Sequence, residues 1–251
     1  MTYRNARSIV GVLNCGVALF FCGLALRESI PVRLFPKNEI TFLPQVGCFV
    51  QTFVFYAVLS MPFDLLGGWV LPWLYKKDYP GSIHFIVAWI RGVLFQAAVA
   101  IGCSILIMEA GRSGGVGGGL LATGVLIGLL LVFRKSSSSF LGAVKRQCAD
   151  GLKDPLAALI WNFGGAILAS RSSEVSFLSA AGIVTLGVFV SLWSFVGVLV
   201  VPLFLGKRSS RLRQLILFPS WVCFGFLSRC LPAVVGLPEY WVTGNGRNEE
   251  G

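Results

Sequence analysis

The sequence predicts an all-α protein: a polytopic bundle of about seven transmembrane helices, six to eight at the limits, forming a single integral membrane domain over residues 1–251. Three observations lead there. Apolar residues fill 55% of the 251 positions, and the mean hydropathy of +0.78 lies beyond that of ordinary soluble domains. Charges are few, 21 Lys and Arg against 11 Asp and Glu, and nearly all of them fall between the apolar runs. Those runs approach the ~20 residues that a helix needs to cross about 30 Å of hydrocarbon.

The first expected span is Ser8–Leu26, behind Arg4 and Arg7. Its apolar run is too long for a signal-peptide core and lacks a small-residue cleavage site, so it reads as a retained helix. Cys22 follows Leu19-Phe20-Phe21, without the small residue that precedes a lipidated cysteine. The second span is Phe42–Met61. Beyond it, Pro62, Gly67, Gly68 and Pro72 disfavour a regular helix, while Trp69, Trp73 and Tyr75 suit the headgroup level. The stretch from Pro62 to Tyr75 is therefore expected to turn along the cytoplasmic interface, with a re-entrant loop as the alternative.

Spans three and four, Ser82–Met108 and Val116–Phe133, flank a glycine-rich junction at residues 114–119. Gly124 and Gly128 form a GxxxG face on which another helix can pack closely, from the same chain or from a second copy in a homo-oligomer. A nucleotide-binding reading of the junction fails, because no strand precedes it and no acidic residue follows at the required distance. Residues 134–154 open with Ser136–Ser139 and place Leu141, Val144, Cys148 and Leu152 opposite Lys145 and Arg146. This is the pattern of a cytoplasmic amphipathic helix, resting on the inner leaflet or packed on the end of the bundle. The fifth span, Pro155–Ala169, is short and interrupted by Asn162, Gly164 and Gly165, which leaves a re-entrant segment as its alternative. Leu178–Val201 and Leu215–Val235 complete the seven.

Cytoplasmic loops accumulate Lys and Arg. With seven spans, thirteen basic residues fall on the side of the N-terminus and six on the other; deleting the fifth span lowers the contrast to eleven against eight. The expected topology is thus N-terminus cytoplasmic and C-terminus outside, in a bacterial inner (plasma) membrane. The net charge of +10 belongs with anionic lipid headgroups, not nucleic acid. Six of the seven cysteines lie in apolar runs without a C-x-x-C pair and read as small packing residues; Cys148 lies in the polar connector, where a free thiol suits a reducing compartment.

Polar residues within the spans are the candidate sites. Arg91 and Arg229 are the basic ones, each costly at depth. Arg91 leans toward the nearer interface, whereas Arg229 leans toward the hydrocarbon centre, three residues before Pro232. By depth, Asp64 suits Arg91 and Glu109 suits Arg229, so two layered ion pairs are expected, serving helix registry or, alternatively, substrate or proton handling. His84, seven residues before Arg91, shares its helical face and is the only histidine, too little for a zinc site. Asn162 is expected to bond to a neighbouring helix. No catalytic residue, metal site or cofactor is expected.

The segments from Met61-Pro62-Phe63-Asp64 to Gly67-Gly68-Trp69-Val70-Leu71-Pro72, and from Leu192-Trp193-Ser194-Phe195 to Val200-Val201-Pro202, resemble membrane portions of bacterial proteins related to M48-type zinc peptidases. That family's chemistry needs an H-E-x-x-H helix, which this chain lacks. The resemblance therefore implies a membrane remnant without the catalytic part, and no site residue carries over. The leading functional expectation is a non-enzymatic scaffold or accessory subunit. A small-solute or ion transporter is the alternative, drawing on the broken second span, the short fifth and Arg229, although no internal repeat is seen. A catalytically degenerate relative of a membrane-embedded peptidase comes third.

Overall fold

The computed structural model describes residues 2–35, 42–76, 81–133 and 153–205, together with 212, 216 and 219. Most of these residues are helical, with no strand among them. In chain order they form α1 (Tyr3–Arg27), α2 (Ile30–Leu34), α3 (Phe42–Leu65), a π-helical turn (Leu66–Val70), α4 (Leu71–Leu74), α5 (Ser82–Val132), α6 (Lys153–Ala169) and α7 (Ala180–Leu205). Four helical stretches are long and apolar enough to cross a membrane, namely Ile9–Arg27, Phe42–Leu74, Ser82–Val132 and Ala180–Val198, and Pro155–Ala169 is a shorter apolar helix. The expected span 215–235 and connector 134–154 lie outside the described residues, apart from 216, 219 and the first residues of α6.

α1 starts five residues before the expected span, where the Thr2 hydroxyl accepts from the Asn5 N–H and satisfies one of the orphan donors of the first turn. The stretch after Met61 corrects the sequence reading. Helical structure runs from Phe42 through Leu74 and does not turn aside at Pro62. Pro62 lies inside α3 on an exposed face, the helix widens to a π-turn over Leu66–Val70, which holds Gly67 and Gly68, and Pro72 follows in α4.

α5 holds the opposite surprise. A straight helix of 51 residues would be about 76 Å long, yet the chain doubles back. Gly115 has φ +61°, ψ −153°, a conformation open to glycine and strained for other residues. Gly111 and Gly119 both abut Phe177, and Gly118 sits against the carbonyl of Ala110. Residues eight apart in a straight helix are about 12 Å apart, so residues 82–114 and 116–132 are two limbs folded against one phenylalanine. The glycine junction thus separates the third and fourth apolar segments as expected.

α7 is the central helix. Its apolar window is 72% buried, against 24–28% for the windows in α1, α3–α4 and α5, and it touches α1, α2, α3, α5 and α6. The outer helices turn broad apolar faces outward: Ile83, Val87, Ile90 and Leu94 form an exposed stripe along α5. That arrangement matches a hydrocarbon surrounding. The core joins Cys22, Phe49, Phe53, Ile107, Met108, Ile183, Leu186 and Val188, and a second cluster joins Ile127, Leu131 and Ala158 to Leu212 and Ile216.

Candidate functional site

The buried polar groups form three stations between helices. At the end of the bundle where the rings of Tyr3 and Tyr75 meet, Asp64 is 6% exposed and its Oδ2 accepts a hydrogen bond of 2.9 Å from the indole N–H of Trp89. One turn on, Gly68 is flat against Phe85, where a Cβ would lie 2.5 Å from Cε2. The expected Asp64–Arg91 ion pair is not formed: Arg91 is exposed and pairs with no acidic residue among those described. Helical rotation explains the substitution. Trp89 and Arg91 are two residues apart, about 200° around the axis, so the face of α5 that meets Asp64 turns Arg91 away. Arg91 and His84 instead share the exposed apolar face of α5 with Val87. Trp89→Phe should therefore cost about 1–3 kcal/mol, because it removes a donor to a buried charge-capable group, while Arg91→Lys should be nearly silent. Unfolding midpoints of the two variants in the same detergent check this, and equal effects would refute the assignment.

At the opposite end, Glu109 meets its cation within its own helix. Arg112, one turn later, approaches Oε1 at 2.8 Å and also donates from Nε to the carbonyl of Leu178 at 3.3 Å. The i,i+3 spacing makes this pair local and half-exposed. The Glu109–Arg229 pair expected from depth has its second member outside the described residues. Nearby, Gln45 accepts from the backbone N–H of Ala180 at 2.7 Å, capping the start of α7, and the Ser29 hydroxyl donates to Glu174.

The third station is the most organised. Trp161 on α6 and Trp193 on α7 stack with centroids 5.1 Å apart and planes 16° apart. Each indole donates to the other's backbone carbonyl, Trp161 Nε1 to Trp193 O at 3.2 Å and Trp193 Nε1 to Trp161 O at 3.0 Å. Each ring also fills a glycine notch on the opposite helix: a Cβ at Gly165 would collide with Trp193, and one at Gly197 with Trp161. Side chains lean toward the N-terminus of their helix, so this mutual fit requires α6 and α7 to be antiparallel. Beside the rings, Asn162 and Ser194 are both fully buried. Ser194 Oγ is 2.7 Å from Asn162 Oδ1 and 2.7 Å from Val190 O, one hydroxyl proton serving both acceptors. Asn162 Nδ2 donates to Ala158 O at 2.9 Å and to Ile216 O at 2.8 Å. The expectation of an inter-helix amide is met with two neighbours. The same contacts explain why Asn162, Gly164 and Gly165 do not interrupt α6, since the amide is satisfied and Gly165 is filled by Trp193.

Sequence reasoning passed over Trp89, Trp161, Trp193, Ser194 and Gly197. A signal was available for four of them. Trp161-Asn162-Phe163-Gly164-Gly165 and Trp193-Ser194-Phe195-Val196-Gly197 carry Trp, a small polar residue, Phe and Gly at the same offsets. Of the GxxxG pair, Gly124 is approached by Phe163 of α6, with a Cβ position 3.1 Å from Cε2, so its neighbour belongs to the same chain; Gly128 faces open space. Among the described residues no group of three His, Cys, Asp or Glu side chains is placed to hold a metal.

Comparison with protein-family models, with curated proteins and with solved structures finds no match.

Proposed function

We propose that the chain is a multi-pass integral membrane protein acting as a scaffold or accessory subunit. The observation that carries this reading is the way in which its interior is filled. Gly68, Gly165 and Gly197 are each filled by an aromatic ring from another helix, Gly119 by the ring of Phe177 in the turn before α7, and Gly111 by the Cβ and carbonyl of that same Phe177. Close packing of this kind suits a rigid body that presents its apolar exterior to lipid and to a partner. Seven spans, an N-terminus on the cytoplasmic side and residence in a bacterial inner membrane are the topology we propose with it, supported by the segregation of basic residues. The basic loops then face anionic headgroups, and Gly128 leaves a notch open for a second copy or another protein.

Purification in a mild detergent tests the reading. A stoichiometric protein partner, or a defined homo-oligomer, is the expected result; a tightly held solute in a lone subunit would overturn it. That second outcome would favour a small-solute transporter, for which the π-turn at Leu66–Val70 beside the buried Asp64 gives specific support, since broken helices next to buried polar groups mark transport sites. Descent from a membrane peptidase that has lost its catalytic part is the third reading, resting on the segments around Pro62–Pro72 and Leu192–Pro202.

A further inference from the structure

We infer that α6 and α7 are an inverted repeat, and that Asn162, whose second amide proton reaches Ile216 O, is the latch that holds the backbone at Ile216 against the pair. Seven contacts fall on a single relation, the exchange of residue i with residue i + 32. It maps Trp161 onto Trp193 and therefore maps each indole-to-carbonyl bond onto the other. It maps the Gly165 notch, filled by Trp193, onto the Gly197 notch, filled by Trp161. Asn162 Nδ2 bonding to Ala158 O becomes Ser194 Oγ bonding to Val190 O, four residues back in each helix. The Asn162–Ser194 pair, joined by a hydrogen bond from Ser194 Oγ to Asn162 Oδ1, maps onto itself. Two antiparallel helices exchanged in this way have a twofold axis across the pair, between the stacked rings.

Among the contacts of the described residues, the symmetry is broken at Asn162. A serine hydroxyl has one proton, and at position 194 that proton is shared between the Val190 carbonyl and Asn162. A carboxamide has two. At position 162 one serves the helix's own carbonyl and the second reaches Ile216 O. The apolar contacts agree, since Leu212 and Ile216, one turn apart, pack with Ala158, Ile127 and Leu131 on the α6 side of the pair. The repeat thus makes a clasp that either half could build, and asparagine in place of serine gives one half a handle on a third element. The latch is independent of whether the bundle carries a partner.

The test is peptide-resolved maleimide labelling of the full-length protein in detergent, in an Ile216→Cys background. The buried thiols of Cys22, Cys48 and Cys103 report whether the main core stays folded. Asn162→Ser keeps the bonds expected of the repeat and removes the second amide proton, so labelling at 216 should rise about fivefold, the local opening that one lost hydrogen bond allows. The exchange Asn162→Ser with Ser194→Asn should do the same, because the handle then points from the other half. Ser194→Ala should leave position 216 protected, and the three core thiols should stay protected throughout. The inference is overturned if Ser194→Ala exposes position 216 as much as Asn162→Ser does, if neither Asn162→Ser nor the exchange exposes it, or if the core thiols open together with it.

Discussion

Trp161→Ala and Trp193→Ala are each expected to lower the unfolding free energy in detergent by about 3–5 kcal/mol, the range for emptying a large aromatic site, and by amounts that agree closely with each other. The near-equality follows from the reciprocal geometry: each substitution removes one indole N–H, one half of the stack and one occupied glycine notch. The double variant should cost clearly less than the sum, because either single change already dissolves the pair, and residues in contact couple by roughly 0.5–3 kcal/mol. Trp→Phe at either position keeps most of the packing and loses the N–H. Hydrogen bonds between membrane helices average only ~0.6 kcal/mol, so the phenylalanine variants should stay near the parent. Unfolding curves of the four variants and the double mutant decide it. Strict additivity, or one tryptophan mattering alone, would show that the clasp is not a coupled unit.

The second large effect is expected at Gly182. A Cβ there would meet the backbone N, C and O of Ser176, which have no rotamer with which to yield, and the Gly182 N–H is held by the Ser179 hydroxyl at the first turn of α7. Overpacking usually costs about 1–3 kcal/mol, and against fixed backbone at the start of the central helix Gly182→Ala should fall at the upper end. Gly128→Ala is the counterpart. It lies in the second limb of α5 with open space where the methyl would go, and alanine gains up to ~1 kcal/mol over glycine in a helix interior. Thermal midpoints from fluorescence-detected size exclusion should therefore move in opposite directions. A destabilising Gly128→Ala would indicate that the notch is occupied in the native assembly, as in a homo-oligomer.

The expected fourth span begins one residue after Gly115, and the structure bends the chain at that residue; a run of glycines ends a helix for local reasons, so the break is readable in the sequence. The stretch around Pro62–Pro72 was misread for a related reason. Proline and glycine raise the local cost of a helix, but the cost is offset by contacts such as Gly68 against Phe85, and those come from a segment some 17 residues away. The ion pairs were matched by depth alone, and depth does not fix rotation. Two residues turn a helical side chain by about 200°, which gives Asp64 the indole of Trp89 and turns the guanidinium of Arg91 away.

By itself the sequence determined that this chain is helical and apolar, roughly where its long helices begin, and that most of its charges fall outside the apolar runs. Those properties depend on hydrophobicity, glycine and proline, which act locally or through an average solvent. The tertiary structure alone decided that α7 is central, that α6 stays intact around Asn162, and that Trp161 and Trp193 lock reciprocally into each other's glycine notches. These outcomes depend on which faces meet at a few ångströms between residues 32 or more positions apart. That is set by the packing of the whole bundle; the matching offsets at 161–165 and 193–197 stand in the sequence, but only the structure shows that the two segments meet.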